Sequence, residues 1–225
     1  IEDRLALDDH TLMLASSDGA PARAAKYLRL FEEHGVVGML VVPTTQDLDH
    51  LQRLQRRGVR VVLLDAPSSL DEISSVSVDD QAGGAMAARH LLDRGHRRIV
   101  FLNGPHFIRQ CADRRAGVDL AVREAGLDPA DVVHEVTLTS LDAAGGDAAL
   151  RALVAVADGQ PPEAVFCVND LVAVGVQRAL RLLGGTALLE RVAVVGYDDI
   201  DIASELAVPL TSVRQPTHEM GFRAA

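Results

Sequence analysis

Three apolar runs in this chain end in side chains able to hold a polar ligand. Asp65 follows Val61-Val-Leu-Leu64, Asn169 and Asp170 follow Val165-Phe-Cys-Val168, and Asp198 follows the run that starts at Val192 and ends at Gly196. A buried parallel strand that delivers carboxylates and amides from its C-terminal end is the usual geometry of a ligand site in an open α/β sheet. Any one of these residues could simply cap the next helix, and Asp170 reads as such a cap for 171–183. Three together favour a site. Arg114 adds a cation: Gly117, Val118 and Ala121 follow it at i+3, i+4 and i+7, so it starts an apolar helix face rather than the solvated one. A planar guanidinium among carboxylates and amides suits neighbouring hydroxyls, as on a sugar, or a carboxylate. Asp199 and Asp201 read as capping or solvated, and Arg115 as a surface residue.

Catalytic signals are weak. The chain has no GxGxxG after a strand, no GxxxxGK[ST], no GxSxG and no HExxH. Asp198 and Asp199 could form an acid/base pair, but adjacent side chains usually point apart and no nucleophile stands beside them. The histidines lack ligand spacing. Gly83-Gly84 and Gly145-Gly146 read as points of close packing. No catalytic residue, metal or cofactor is expected, and the chain does not read as an enzyme.

The elements that must carry these residues follow from patterning. Aromatics are few (five Phe, two Tyr, no Trp), so the core is Val, Leu and Ala. Apolar runs at 11–16, 36–42, 59–64, 76–78, 99–102, 132–137, 164–168, 192–195 and 211–214 alternate with helical patterns at 21–34, 47–57, 79–93, 108–125, 142–157 and 170–183. Residues 1–7 resemble the end of a helix. Such alternation implies parallel sheets covered on both faces. The expected fold class is α/β, with two doubly wound parallel-sheet lobes joined by a hinge. The lobes are read as 1–103 plus 213–225 and as 104–212, with hinge residues Asn103, Gly104, Val213 and Arg214. A cleft between two such lobes favours a small-molecule site.

Composition bounds the partners. The formal net charge of −10 argues against this polypeptide gripping nucleic acid by itself. Cys111 and Cys167 have no CxxC partner, which suits a reducing compartment. No stretch approaches ~18 uncharged apolar residues, so no membrane contact is expected. The opening Ile1-Glu-Asp-Arg4 is unlike an export signal, and the absence of an initial Met suggests a fragment of something longer.

Six motifs, in order and spacing, resemble the effector-binding core of the lactose-repressor/galactose-repressor (LacI/GalR) transcriptional regulators. They are Val76-Ser-Val-Asp-Asp-Gln-Ala-Gly83; His90-Leu-Leu-Asp-Arg-Gly-His-Arg-Arg-Ile99 with Asn103-Gly-Pro105; Arg114-Arg-Ala-Gly117; Val168-Asn-Asp170 with Ala173-Val-Gly175; Val195-Gly-Tyr-Asp-Asp199; and Pro209-Leu-Thr-Ser-Val-Arg-Gln-Pro216. The resemblance covers nearly the whole chain. It implies a periplasmic-binding-protein-like (type I) fold, with a sugar or related metabolite contacted by Asp65, Arg114, Asn169, Asp198 and Gln215. It also implies a homodimer, an operator DNA partner reached through an N-terminal helix-turn-helix outside these residues, and a cytoplasmic location. Ser140 stands where the family often has an aromatic that stacks on the ligand, and Gly184-Gly-Thr-Ala-Leu-Leu-Glu190 replaces the family's usual turn with Val-Pro. The expected function is the ligand-sensing core of a repressor-type regulator. The competing reading is an extracytoplasmic sugar-binding protein of a transporter, which the run His90 to Ile99 opposes.

Overall fold

The computed structural model describes residues 1–43, 48–68 and 71–225. The chain divides into two compact units, Ile1–Val78 with Pro216–Ala225, and Asp79–Gln215. The first contains α1 (Glu2–Ala6), α2 (Pro21–Glu33), β1 (Gly38–Val41), α3 (Asp49–Arg56), β2 (Arg60–Leu64) and β3 (Ser74–Val76). The second contains α4 (Asp80–Asp93), β4 (Ile99–Asn103), α5 (Arg109–Glu124), α6 (Pro129–Val132), β5 (Val133–Thr137), α7 (Ala143–Val156), β6 (Ala164–Cys167), α8 (Asp170–Arg191), β7 (Ala193–Asp198), a 3-10 turn (Asp201–Glu205) and β8 (Thr211–Arg214). The last helix, α9 (Thr217–Ala224), returns to the first unit.

Both units are parallel α/β sheets. In the first the order is β1-β2-β3, over a core of Met39, Leu48, Leu51, Leu54, Val61, Leu63 and Ile73. In the second the order is β5-β4-β6-β7-β8, every pair parallel. The near-continuous apolar strands are explained by burial on both faces: Ala164, Val165, Phe166 and Cys167 of β6 are all buried, and Phe166 stacks on Phe101 of β4 with ring centroids 4.6 Å apart.

Several expectations need correction. The lobe boundary is not at Asn103. β4 lies between β5 and β6, and α4 packs on α5, so residues 79–103 belong to the second unit. Asn103 and Gly104 therefore sit inside that unit. Val213 and Arg214 likewise pair within its sheet as β8, while the chain passes between units at Val78–Asp79 and Gln215–Pro216. The run 11–16 forms no strand: it has no partner among the described residues, and Leu14 is 90% exposed. An apolar run becomes a strand only where a neighbour can take its backbone groups. The expected start of the third helix at Asp47 lies outside the described residues. Helix α8 runs past 183 only across a break, where Gly185 takes φ 67°. By length and composition α8 could cross a membrane, yet Val172, Ala173, Val176, Ala179 and Leu180 bury it in the core of its own unit.

The paired glycines do mark close packing. A Cβ at Gly117 of α5 would stand 1.9 Å from the Gln81 carbonyl oxygen, and one at Gly84 of α4 would stand 2.1 Å from the Arg114 carbonyl oxygen. Backbone meets backbone there, so no side chain can swing aside. Gly117→Ala is expected to lower the unfolding free energy by ~1–3 kcal/mol through overpacking. Denaturant melts of the two chains, read by circular dichroism, would show it, and an unchanged midpoint would refute the close approach.

Candidate functional site

Five of the six expected contact residues, Arg114, Ser140, Asn169, Asp198 and Gln215, belong to the second unit. Asp198 ends β7, Asn169 follows β6, Gln215 follows β8 and Ser140 lies past the end of β5. Since every strand runs the same way, these four stand at the C-terminal edge of one sheet. The sixth, Asp65, belongs to the first unit, at the C-terminal end of β2. It is half-buried, with φ 56°, and its N–H donates to the Val76 carbonyl at 2.8 Å.

Arg114 is brought to this edge from α5 and is only 5% exposed. Its Nε donates to Asp80 Oδ1 at 2.9 Å, its Nη1 donates to the Val168 carbonyl, and its Cζ lies 3.6 Å from the centre of the Tyr197 ring. It thus touches the residue before Asn169 and the residue before Asp198. The cation over the ring is a favourable desolvated contact. Burial pushes the Tyr197 hydroxyl up to about 12, so the ring stays neutral under the guanidinium at ordinary pH.

Around it the polar groups are tied to one another. Asn169 caps α8: its Oδ1 accepts from Val172 N–H at 2.8 Å, and its Nδ2 donates to the Leu141 carbonyl, beside Ser140, at 3.0 Å. Ser140 is exposed, and its hydroxyl donates to Asp142 at 2.6 Å. Gln215 Nε2 donates to Asp198 Oδ1 at 2.7 Å. Asp198 and Asp199 both have left-handed backbones, φ 108° and φ 57°, a strained conformation for residues with a Cβ. Asp199 is held by its N–H on the Ser212 hydroxyl at 3.1 Å and by its carboxylate on Arg214.

One residue proves different from the sequence reading. Asp170 is not the cap of α8; Asn169 is. Asp170 is fully buried and takes Ser212 Oγ–H at 2.7 Å and Ile200 N–H at 2.9 Å. It binds the start of α8 to β8 and to the loop after β7. Asp79 and Asp80 both stand where a cap of α4 could lie; Asp79 is that cap, accepting from Ala82 N–H at 2.8 Å. Asp80 is the buried partner of Arg114. A signal for it existed: Asp80 stands three and four residues before Gly83 and Gly84, on the face that packs. Asn103 is buried too, bridging the Cys111 carbonyl at 3.0 Å and Glu135 at 2.7 Å.

The arrangement offers carboxylate and amide groups at one sheet edge, braced from beneath by a buried cation. It suits binding of a polyhydroxyl ligand; no nucleophile–base pair accompanies it among the described residues. Asp80→Ala should cost ~3–5 kcal/mol in a denaturant melt, because it leaves Arg114 buried and unpaired. Burial is the main influence on Asp170 and pushes its carboxyl above the usual range, against the lowering effect of Ser212 and of the Ile200 N–H. A carboxyl that holds its proton more tightly when folded adds stability below the ordinary value of about 4 and loses it as pH rises. Asp170→Asn lacks that proton. Melts from acid to neutral pH should therefore show the natural chain losing stability relative to the variant as pH rises, and a flat difference would contradict the shift.

Comparison with known proteins gives these features a context. Residues 88–225 match the periplasmic binding protein-like domain family. The chain is 32% identical to the HTH-type transcriptional repressor PurR of Vibrio cholerae serotype O1, over 96% of its own length and 63% of the relative's. It is 32% identical to the ribose operon repressor of Escherichia coli K12, over 94% of its length and 63% of the relative's. A crystal structure of a LacI family transcriptional regulator from Enterococcus faecium with bound ribose superposes with TM-score 0.88 at 26% identity, covering 100% of this chain and 80% of that one. The chain thus spans about 63% of the length of these curated relatives.

Proposed function

Because the chain belongs to the periplasmic binding protein-like domain family, as an effector-binding core of the LacI/GalR type, we propose that it is the ligand-sensing part of a DNA-binding transcriptional repressor. The observation that carries this reading is the convergence of Arg114, Asn169, Asp198 and Gln215 at the C-terminal edge of one parallel sheet. The effector is a sugar or related metabolite. Ribose is the first ligand to test, since it is bound to the Enterococcus faecium regulator.

In this reading the chain acts in the cytoplasm as a homodimer, and its operator contact is made by an N-terminal helix-turn-helix outside these residues. The relatives' names, an HTH-type transcriptional repressor and an operon repressor, support the operator contact. Effector binding controls operator affinity only insofar as it favours one arrangement of the dimer over another. The transporter reading is not favoured, because the curated relatives are transcriptional regulators rather than transport proteins.

The test is calorimetric titration and thermal melting with ribose, other monosaccharides and disaccharides. A true effector at a hundred times its Kd should add about 2.7 kcal/mol of stability. Asp198→Asn or Gln215→Ala should weaken it by roughly tenfold or more, the worth of a hydrogen bond to a charged group. Equal affinity in both variants would remove these residues from the site.

A further inference from the structure

The run His90 to Ile99 contributes nothing to the edge described above. It crosses the opposite, N-terminal edge of the same sheet. There the last turn of α4, the link to β4 and the first residues of β7 and β8 enclose a depression of about 330 Å³. That volume falls at the small end of ligand pockets, roughly 300–1,000 Å³. Its apolar floor includes Leu91 and Val195, and its polar lining is His90, Arg94, His96 and Thr211.

Basic residues at a helix C-terminus often serve only to satisfy its last carbonyls. Here three of those carbonyls are already bonded. The His90 oxygen accepts from Arg94 N–H, the Leu91 oxygen from His96 N–H, and the Leu92 oxygen from Gly95 N–H and from Arg97 Nη1. Among the described residues the side chains of His90 and Arg94 have no partner. The nearby carboxylate, Glu163, does not line the depression. It is occupied by His96 Nδ1 at 2.8 Å and by Arg98 at 3.7 Å, and the His96 hydrogen bond holds it below the usual range, so it stays ionised and paired. With its Nδ1–H given to the Glu163 carboxylate, His96 donates from Nε2 as the imidazolium, so its part in an anion site belongs to the protonated ring.

We propose that this depression is an anion site for a phosphate group, free or carried by a small metabolite, held by His90, Arg94 and His96 with the Thr211 hydroxyl. Donors from three separate elements suit a tetrahedral oxyanion, which offers acceptors in several directions, better than a planar carboxylate. The site is separate from the effector edge and does not depend on the regulator reading.

The test is a titration of the whole chain with inorganic phosphate at constant ionic strength, read from histidine side-chain ¹H–¹⁵N resonances. Saturable shifts of His90 and His96 are expected, reproduced by sulfate and absent with chloride. The double variant His90→Gln, Arg94→Ala should weaken binding by at least about tenfold, while Asp198→Asn should leave it unchanged. Ribose 5-phosphate separates the two sources: tighter binding than inorganic phosphate identifies a phosphorylated metabolite, and equal binding identifies the free ion. Linear, non-saturating shifts, or undiminished affinity in the double variant, would overturn the proposal.

Discussion

The second unit is built around one buried ion pair, Arg114 with Asp80. An ion pair taken out of water is costly, and it persists only where geometry and further hydrogen bonds offset the desolvation. Here the offsets come from four segments. Asp80 comes from the first turn of α4, the guanidinium from α5, the accepting carbonyl from Val168 after β6, and the aromatic face from Tyr197 on β7. The glycines at 84 and 117 let the two helices come close enough for the pair to form. That one contact thus joins both helices to the ends of the two strands that lead into Asn169 and Asp198.

A second buried carboxylate extends the same logic. Asp170 ties α8 to Ser212 on β8 and to Ile200 in the loop after β7. Gly196 is small because Asp170 lies against it: a Cβ there would stand 2.1 Å from Asp170 Oδ1. With both sides of β7 fixed in this way, the two residues at its end, Asp198 and Asp199, can be held in strained left-handed backbones. Strain of this kind persists only where the surroundings over-determine it, and it gathers at functional sites.

Much of this was legible in the sequence, and the failures have common physical causes. Apolar runs bounded by Gly, Pro and Asp gave nearly every strand of the second unit, because strands buried on both faces must be apolar throughout. Strand order is a different matter. Asn103-Gly-Pro105 reads as a linker by local chemistry, yet the carbonyl of Asn103 accepts from Leu138 N–H and its side chain is buried, so the turn is internal. Nothing local distinguishes a turn inside a sheet from a passage between units. The exchanged roles of Asn169 and Asp170, and the choice of Asp79 over Asp80 as the cap of α4, have one origin. A capping residue and its successor have the same composition signal, and only tertiary packing decides which side chain turns outward to cap and which turns in.

The polar groups at the sheet edge are engaged with one another. Gln215 donates to Asp198, and Asn169 both donates and accepts within the chain. An apolar ligand arriving here would break such bonds and return nothing, leaving polar groups desolvated and unpaired. A ligand that both donates and accepts can exchange its own bonds for theirs. A hydroxyl does so with one atom, and neighbouring hydroxyls on a ring do so at two or more of these positions together. In the proposed effector site these internal hydrogen bonds would act as a filter, favouring polyhydroxyl ligands over apolar ones of the same size.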